Sequence, residues 1–292
     1  MEKRKPKMRV FYYAGFYAVA LILLIAATFK DLAIDNTLYN PANGFGIFME
    51  KFAEFPMFCI IPFAFTVMFY ARTMKDKKLN IILGAGYAFA VLAGWVLCMF
   101  KLGDDWFGED FSKVFLILIA VAFSALTLFL GGLIKRETMI RLRPLAIVGL
   151  LTFLVTAAGV EVIKRVWGRP RYRDMLNGVN GLTIDNFTPW YKIAGMKGCR
   201  SFPSGHTYAA SETFLLLSVS DRMKEHKNKE ILFFAVAFVF TALTAFARLI
   251  AGAHFLSDVV MGAAIGFTVY IIIREFVQPR IFKFMDNAKL KI

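Results

Sequence analysis

Apolar runs of about 18 to 22 residues recur along this chain, separated by short polar segments, and few architectures accommodate that pattern. A stretch of that length must satisfy each backbone N–H and C=O internally once it enters hydrocarbon, and a helix does so. Composition agrees: 58% of the 292 residues are hydrophobic and 19% charged, with a mean hydropathy of +0.59. A soluble domain carries more charge. The expected fold is all-α, a polytopic transmembrane helix bundle of about eight spans. Their expected positions are Val10–Phe29, Phe55–Tyr70, Leu79–Phe100, Val114–Ile134, Pro144–Ile163, Thr207–Ser220, Ile231–Ile250 and Asp258–Ile273. The mixed residues 30–54, with Asp31, Asp35, Glu50 and Glu54, are expected to lie partly along the interface. Gly84, Gly86 and Gly94 are expected to mark close helix packing in the third span. No small-residue cleavage site follows the first apolar run, which reads as a retained helix.

A formal charge of +14 suggests nucleic acid at first sight. Its distribution argues against that, because the cations fall in short blocks between apolar runs, as topology signals do. Of the 35 Lys and Arg residues, about 22 lie in segments 1–9, 72–78, 135–143, 221–230 and 274–292, all on one side of an eight-span arrangement. Positive charge marks the cytoplasmic side, so both termini are expected there. The loop 164–203, with about eight cations, breaks the rule on the opposite side. Either the topology inverts locally, or these cations bind an anion; the regular alternation on both flanks favours the anion. Cys59 and Cys98 lie in apolar runs and Cys199 stands alone, so neither a disulfide framework nor a CxxC metal pattern is implied.

Three polar clusters then emerge on the same, non-cytoplasmic face. The first is Lys164-Arg-Val-Trp-Gly-Arg-Pro-Arg171-Tyr-Arg173, the second Ser201-Phe-Pro-Ser204-Gly205-His206, and the third runs from Arg248 through His254 to Asp258. In the second, Pro203 and Gly205 break the chain just before a helix, leaving backbone N–H groups, a hydroxyl and an imidazole where an anion is favoured. In the third, His254 and Asp258 are four apart and would share a helix face, so that Asp258 fixes one imidazole tautomer. Arg248 would face away from them on an unbroken helix and joins the site only if the chain bends at Gly252. Alone, each cluster also reads as ordinary structure: membrane anchoring, a capped turn, a satisfied interfacial histidine.

Together, Lys-x6-Arg, Pro-Ser-Gly-His and Arg-x5-His-x3-Asp resemble the three signature motifs of the type 2 phosphatidic acid phosphatase superfamily, in its membrane lipid phosphatase branch. The resemblance covers roughly residues 144–275. It implies a six-helix phosphatase core over residues 79–292, with motifs within 164–258, and makes residues 1–78 a tail with two additional helices. It implies that His254 attacks phosphorus to form a phosphohistidine, that Asp258 holds its imidazole, and that His206 protonates the leaving oxygen and then activates water. Lys164, Arg171 and Arg248 would bind phosphate oxygens, with Ser204 and the amide of Gly205 helping. Two positions depart from the family pattern. Tyr172 replaces a common proline, which alters loop shape, and Ala247 replaces a serine, which removes a hydroxyl.

No cofactor is expected. A divalent metal is the competing use of two histidines and an aspartate, but one carboxylate among three cations would repel it. Glu161 is expected to pair with Lys164 or Arg165, and Glu212 to be a buried structural acid. Asn186-Phe-Thr188 fits a glycosylation sequon, discounted because Pro189 follows. The expected partners are the membrane and a lipid phosphate or diphosphate substrate, with no nucleic acid. The loop 173–200 is expected to cover the site and select the substrate. Two other functions stay open: a phosphotransferase that passes phosphate from His254 to another acceptor, and a non-enzymatic lipid-binding or transport protein.

Overall fold

The computed structural model describes residues 6–108 and 110–289. The beginning of the basic segment 1–9, Glu109 and the last three residues of the segment 274–292 lie outside the described residues. Among the described residues every regular element is helical: α1 (Pro6–Leu38), α2 (Gly44–Phe52), α3 (Phe55–Tyr70), α4 (Lys77–Phe107), α5 (Lys113–Gly132), α6 (Arg136–Trp167), α7 (Tyr172–Leu176), α8 (Gly205–Ser211), α9 (Leu216–Arg222), α10 (Glu230–Ile250), α11 (Leu256–Ile272) and α12 (Gln278–Lys289). Among them are 7 helical stretches long and apolar enough to cross a membrane, so the chain is a multi-pass membrane protein. The segment expected as the short sixth span is helical from Gly205 to Arg222, but α8 and α9 are joined by a 3₁₀ stretch, Glu212–Leu215. It lies at the short end of the roughly 17 to 25 residues that a crossing takes.

Helix ends differ from the apolar runs where polar residues are buried inside the protein. Helix α1 continues past Phe29 to Leu38, because Asp31 and Asp35 are buried rather than laid along an interface. Pro144 lies inside α6 instead of opening it. A proline removes one backbone N–H, and membrane helices tolerate that loss where neighbours re-satisfy the freed carbonyl. A Cβ added at Gly94 would meet Ile61 Cγ2 at 2.8 Å, and one at Gly84 would meet the Arg72 guanidinium at 2.8 Å, so both are close-packing points. Gly86 is not: nothing lies within 4 Å of its Cβ position.

The chain forms two compact units. One takes the N-terminal residues up to Met49 with Ala158–Tyr208 and Thr241–Gly266; the other takes Glu50–Ala157, Ala209–Phe240 and the residues from Phe267 onward. In the second unit the basic segments meet one another. Arg222 donates through Nε to the Arg141 carbonyl (3.0 Å) and pairs with Asp286 (2.8 Å), while the fully buried Arg274 pairs with Asp221 (2.8 Å) and Glu230 (2.5 Å). Arg136 donates to the Arg72 carbonyl. Higher in the same unit, Trp95 donates to Thr127 Oγ1 (2.9 Å), and Tyr70 to the Leu128 carbonyl (2.7 Å), satisfying polar atoms between apolar helices. Glu212 is buried here, at the edge of an apolar cavity of ≈ 700 Å³.

The first unit holds all three polar clusters. Its apolar floor is Ala20, Leu249, Val259 and Val260, with Leu24 and Leu256 packed on them. A second cluster joins Tyr172, Met175 and Phe255 to Leu32 and Tyr39 of α1 and its following turn. Trp167 stacks on Phe202 at 4.7 Å and donates to the Trp190 carbonyl at 2.7 Å, which fastens the long loop to the end of α6.

Candidate active site

The turn between α10 and α11 carries the third cluster. Gly252 adopts φ +58°, its N–H reaches the Leu249 carbonyl (2.9 Å), and the Ala253 N–H reaches the Arg248 carbonyl (3.1 Å). This pair of bonds is a Schellman stop with glycine in the left-handed position. A Cβ there would also meet Tyr39 Cδ2 at 2.6 Å. The bend expected at Gly252 therefore exists, and it places Arg248 and His254 on either side of one tight turn, both 2% exposed.

His254 does not share a helix face with Asp258. It lies in the turn before α11, while Asp258 sits at the third helical position and accepts from the Phe255 N–H through Oδ2 (3.0 Å), the back-bond of a capping box. His254 Nδ1 lies 2.7 Å from the Ser201 carbonyl oxygen and 3.9 Å from Asp258 Oδ2. A carbonyl only accepts, so Nδ1 carries the proton and Nε2 keeps the lone pair. The group that fixes the tautomer is thus the Ser201 carbonyl. Asp258 acts one bond further out: its Oδ2 accepts from Ser201 Oγ at 2.5 Å and its Oδ1 from Arg169 Nη1 at 2.5 Å. Ser201 and Arg169 both lie inside the quoted motifs, but neither was assigned a role from the sequence. Both were visible as polar residues beside the assigned ones, but nothing in their spacing marks a role.

The second cluster docks on the start of α11. The Ser204 N–H donates to the Asp258 carbonyl at 2.9 Å, and a Cβ at Gly262 would meet the Ser204 carbonyl oxygen at 2.5 Å. Only glycine allows that approach. Ser204 is fully buried, with its Oγ 3.0 Å from Thr207 Oγ1. Gly205 opens α8, and His206, its second residue, is half-buried. The first cluster enters from α6. Lys164 stands in the last turn of α6, half-buried, and Arg171 is the half-buried residue preceding α7. The Arg173 N–H donates to the Gly252 carbonyl at 2.9 Å, tying this loop to the turn before His254. Tyr172 donates through its hydroxyl to Asn36 Oδ1 of α1 at 2.7 Å. Glu161 pairs with Arg165 at 3.0 Å, as expected, and also with Arg200.

The electrostatics follow from burial. Desolvation pushes the His254 imidazole down to about 3; Arg248 and Lys164 push in the same direction, and Asp258 opposes them. A neutral imidazole with a lone pair on Nε2, beside at least two cations, is equipped to attack an electrophile that carries negative charge.

Comparison with known proteins points the same way. A curated relative from Schizosaccharomyces pombe, "Probable diacylglycerol pyrophosphate phosphatase 1", is 28% identical over 189 residues, covering 59% of this chain and 67% of the relative. No solved structure matches the chain. The PAP2 superfamily model matches residues 116–282, which include all three clusters, and by that match the chain belongs to the PAP2 superfamily.

Proposed function

We propose that this protein is a membrane phosphatase that hydrolyses a phosphate ester or anhydride on a lipid headgroup at the non-cytoplasmic face. The observation that carries the reading is the His254 tautomer: Nδ1 is held by the Ser201 carbonyl at 2.7 Å, which leaves Nε2 as a nucleophile among cations. In the first step Nε2 bonds to phosphorus, the bond from phosphorus to the lipid oxygen breaks, and His206 gives that oxygen its proton. In the second, His206 takes a proton from water, the water oxygen bonds to phosphorus, the P–N bond breaks, and inorganic phosphate leaves. Lys164, Arg171 and Arg248 balance the charge on the phosphoryl oxygens, with Ser204 and the Gly205 amide beside them.

Lipid is favoured over a soluble phosphate because the site residues lie at the ends of membrane helices, where headgroups sit, and because the relative's name specifies a diacylglycerol pyrophosphate. Orientation rests on charge. Helix α6 starts at Arg136 and carries Lys164 in its last turn; α10 starts at Glu230, which pairs with Arg274, and ends after Arg248. The positive-inside rule puts the basic segments, with both termini, in the cytoplasm of a cell-membrane protein, with Gly205–Arg222 as the eighth crossing. The mechanism needs no metal, since cationic side chains already neutralise the phosphate.

A panel of purified lipid phosphates and diphosphates in detergent tests this reading, scored by released inorganic phosphate. Release is expected from at least one of them, unchanged by chelator and blocked by vanadate, which mimics five-coordinate phosphorus. Activity that disappears in chelator and returns with zinc or magnesium overturns the metal-free mechanism. Transfer of labelled phosphate to an added lipid or sugar, without free phosphate, converts the assignment to a phosphotransferase.

The pH profile is a second test. A neutral His254 and an initially protonated His206 would by themselves give a bell. Because burial holds His254 down to about 3, it is already neutral from pH 5 upward. The expected profile therefore lacks that acid limb: kcat/KM for a lipid phosphate or diphosphate shows none from His254 above about pH 4. An acid limb near pH 6.5 that moves in an Arg248→Gln variant would show that His254 titrates normally.

A further inference from the structure

The matched family region begins at residue 116, yet a side chain from α1 reaches the centre of the site. We propose that Asp31 of α1 and Arg169 are positioning residues of the phosphatase: they clamp the N-terminus of α11 and, through Asp258 and Ser201, hold His254 in line. The inference rests on the functional reading above.

The clamp is closed on every side. Arg169 is fully buried and uses each of its nitrogens: Nε donates to the Thr188 carbonyl (2.8 Å), Nη1 to Asp258 Oδ1 (2.5 Å) and Ser257 Oγ (2.8 Å), and Nη2 to Asp31 Oδ2 (3.0 Å). Its guanidinium lies 4.2 Å from the Phe255 ring centroid. Asp31, 3% exposed, accepts the Ser257 N–H at 3.0 Å through Oδ1 and the Ser257 hydroxyl through Oδ2. The two carboxylates therefore cap consecutive parts of one helix start, Asp258 taking the Phe255 N–H and Asp31 the Ser257 N–H. Tyr172 with Asn36, and Trp190 with Thr28 (3.1 Å), fasten the same face of α1 to the loop that carries Arg169.

Apolar packing would join α1 to this unit at lower desolvation cost than a buried arginine between two carboxylates. What the ionic clamp supplies is fixed geometry. From Asp31 the bonds run to Arg169, to Asp258, to the Ser201 hydroxyl, and from the Ser201 carbonyl to His254 Nδ1. A shift of Asp258 moves Ser201, and Ser201 sets the direction of the imidazole. The additional N-terminal helix is in this sense part of the catalytic scaffold.

Asp31→Asn tests this in the full-length protein, with kcat, KM and the vanadate inhibition constant measured on a lipid phosphate that the wild type hydrolyses. A misaimed nucleophile is expected to lower kcat by about 10- to 100-fold and to raise the vanadate constant in proportion, with KM within about 3-fold. Loss of folded protein alone would lower the maximal rate and leave the vanadate constant where it was, which overturns the proposal, as does an unchanged kcat. Should Asp31→Asn not accumulate, Ser257→Ala removes a hydroxyl shared by Asp31 and Arg169 without changing charge. It is expected to lower kcat several-fold, again with a parallel rise in the vanadate constant; an unchanged constant overturns the proposal. Wild-type protein that releases no phosphate from any lipid removes the functional reading itself, whereas an active wild type with an indifferent Asp31→Asn removes only the clamp.

Discussion

Replacing His254 with alanine is expected to reduce phosphate release by more than about 10³-fold, since the proposed covalent intermediate has no substitute for its nucleophile. The variant should still fold. His254 lies in a turn rather than inside a helix, it is neutral, and the hydrogen bond it gives up is a single bond to the Ser201 carbonyl. That carbonyl would be left without this donor in a site that phosphate or water enters, a cost of roughly 1 to 3 kcal/mol. Rapid acid-free quenching with labelled substrate provides the measurement. The wild type should carry acid-labile, base-stable label on a histidine, and His254→Ala should carry none. Equal release by wild type and variant would remove the nucleophile assignment, and label on another residue would relocate it.

Asp258→Asn has the second largest expected effect, and it reaches stability as well as rate. Each carboxylate oxygen is committed: Oδ1 to Arg169, Oδ2 to both Ser201 Oγ and the Phe255 N–H. An amide offers one oxygen. If that oxygen faces Arg169, the NH₂ faces the Phe255 N–H and a helix-capping bond is lost. If it faces Phe255, the NH₂ faces a buried guanidinium. Either orientation orphans one buried donor, at about 1 to 3 kcal/mol, and leaves Arg169 with half its countercharge. With the oxygen toward Arg169, the bond from the Ser201 hydroxyl to Oδ2 is lost or reversed as well, and with it the direction of His254 changes. The expected outcome is a fall in kcat of about 10²-fold or more together with a lower melting temperature in detergent. Unchanged melting with lost activity would mean that Asp258 acts directly on the imidazole, across the 3.9 Å that separates them, rather than through Ser201.

How much of this was legible in the sequence depends on the range of the interaction. The membrane-spanning helices follow from apolar runs because a bilayer imposes backbone satisfaction within each segment, whatever surrounds it. The bend at Gly252 was readable for a similar reason, since a glycine at a helix end is a local event. The presence of His254, Asp258, Arg248, Lys164, Arg171, Ser204, Gly205 and His206 in family order was also readable, although their individual roles remain proposals. The boundaries were not. The sequence places Pro144 at the start of a span and Asp31 in the mixed stretch beyond one, yet both lie inside helices, because the energy of a proline or carboxylate in a membrane helix depends on what packs against it.

Left to itself, then, the sequence determined the class of the molecule: helical, membrane-spanning and of PAP2 type, since hydropathy and short motifs act over a few residues. Only the tertiary structure decided what holds the His254 imidazole. Asp31, Arg169, Ser201 and Asp258 come from four separate segments, and nothing in their spacing distinguishes a buried ion pair from a solvated charge. Burial makes that distinction: it removes water from Arg169, so its hydrogen bonds must be supplied by whichever carboxylates the fold brings within 3.0 Å.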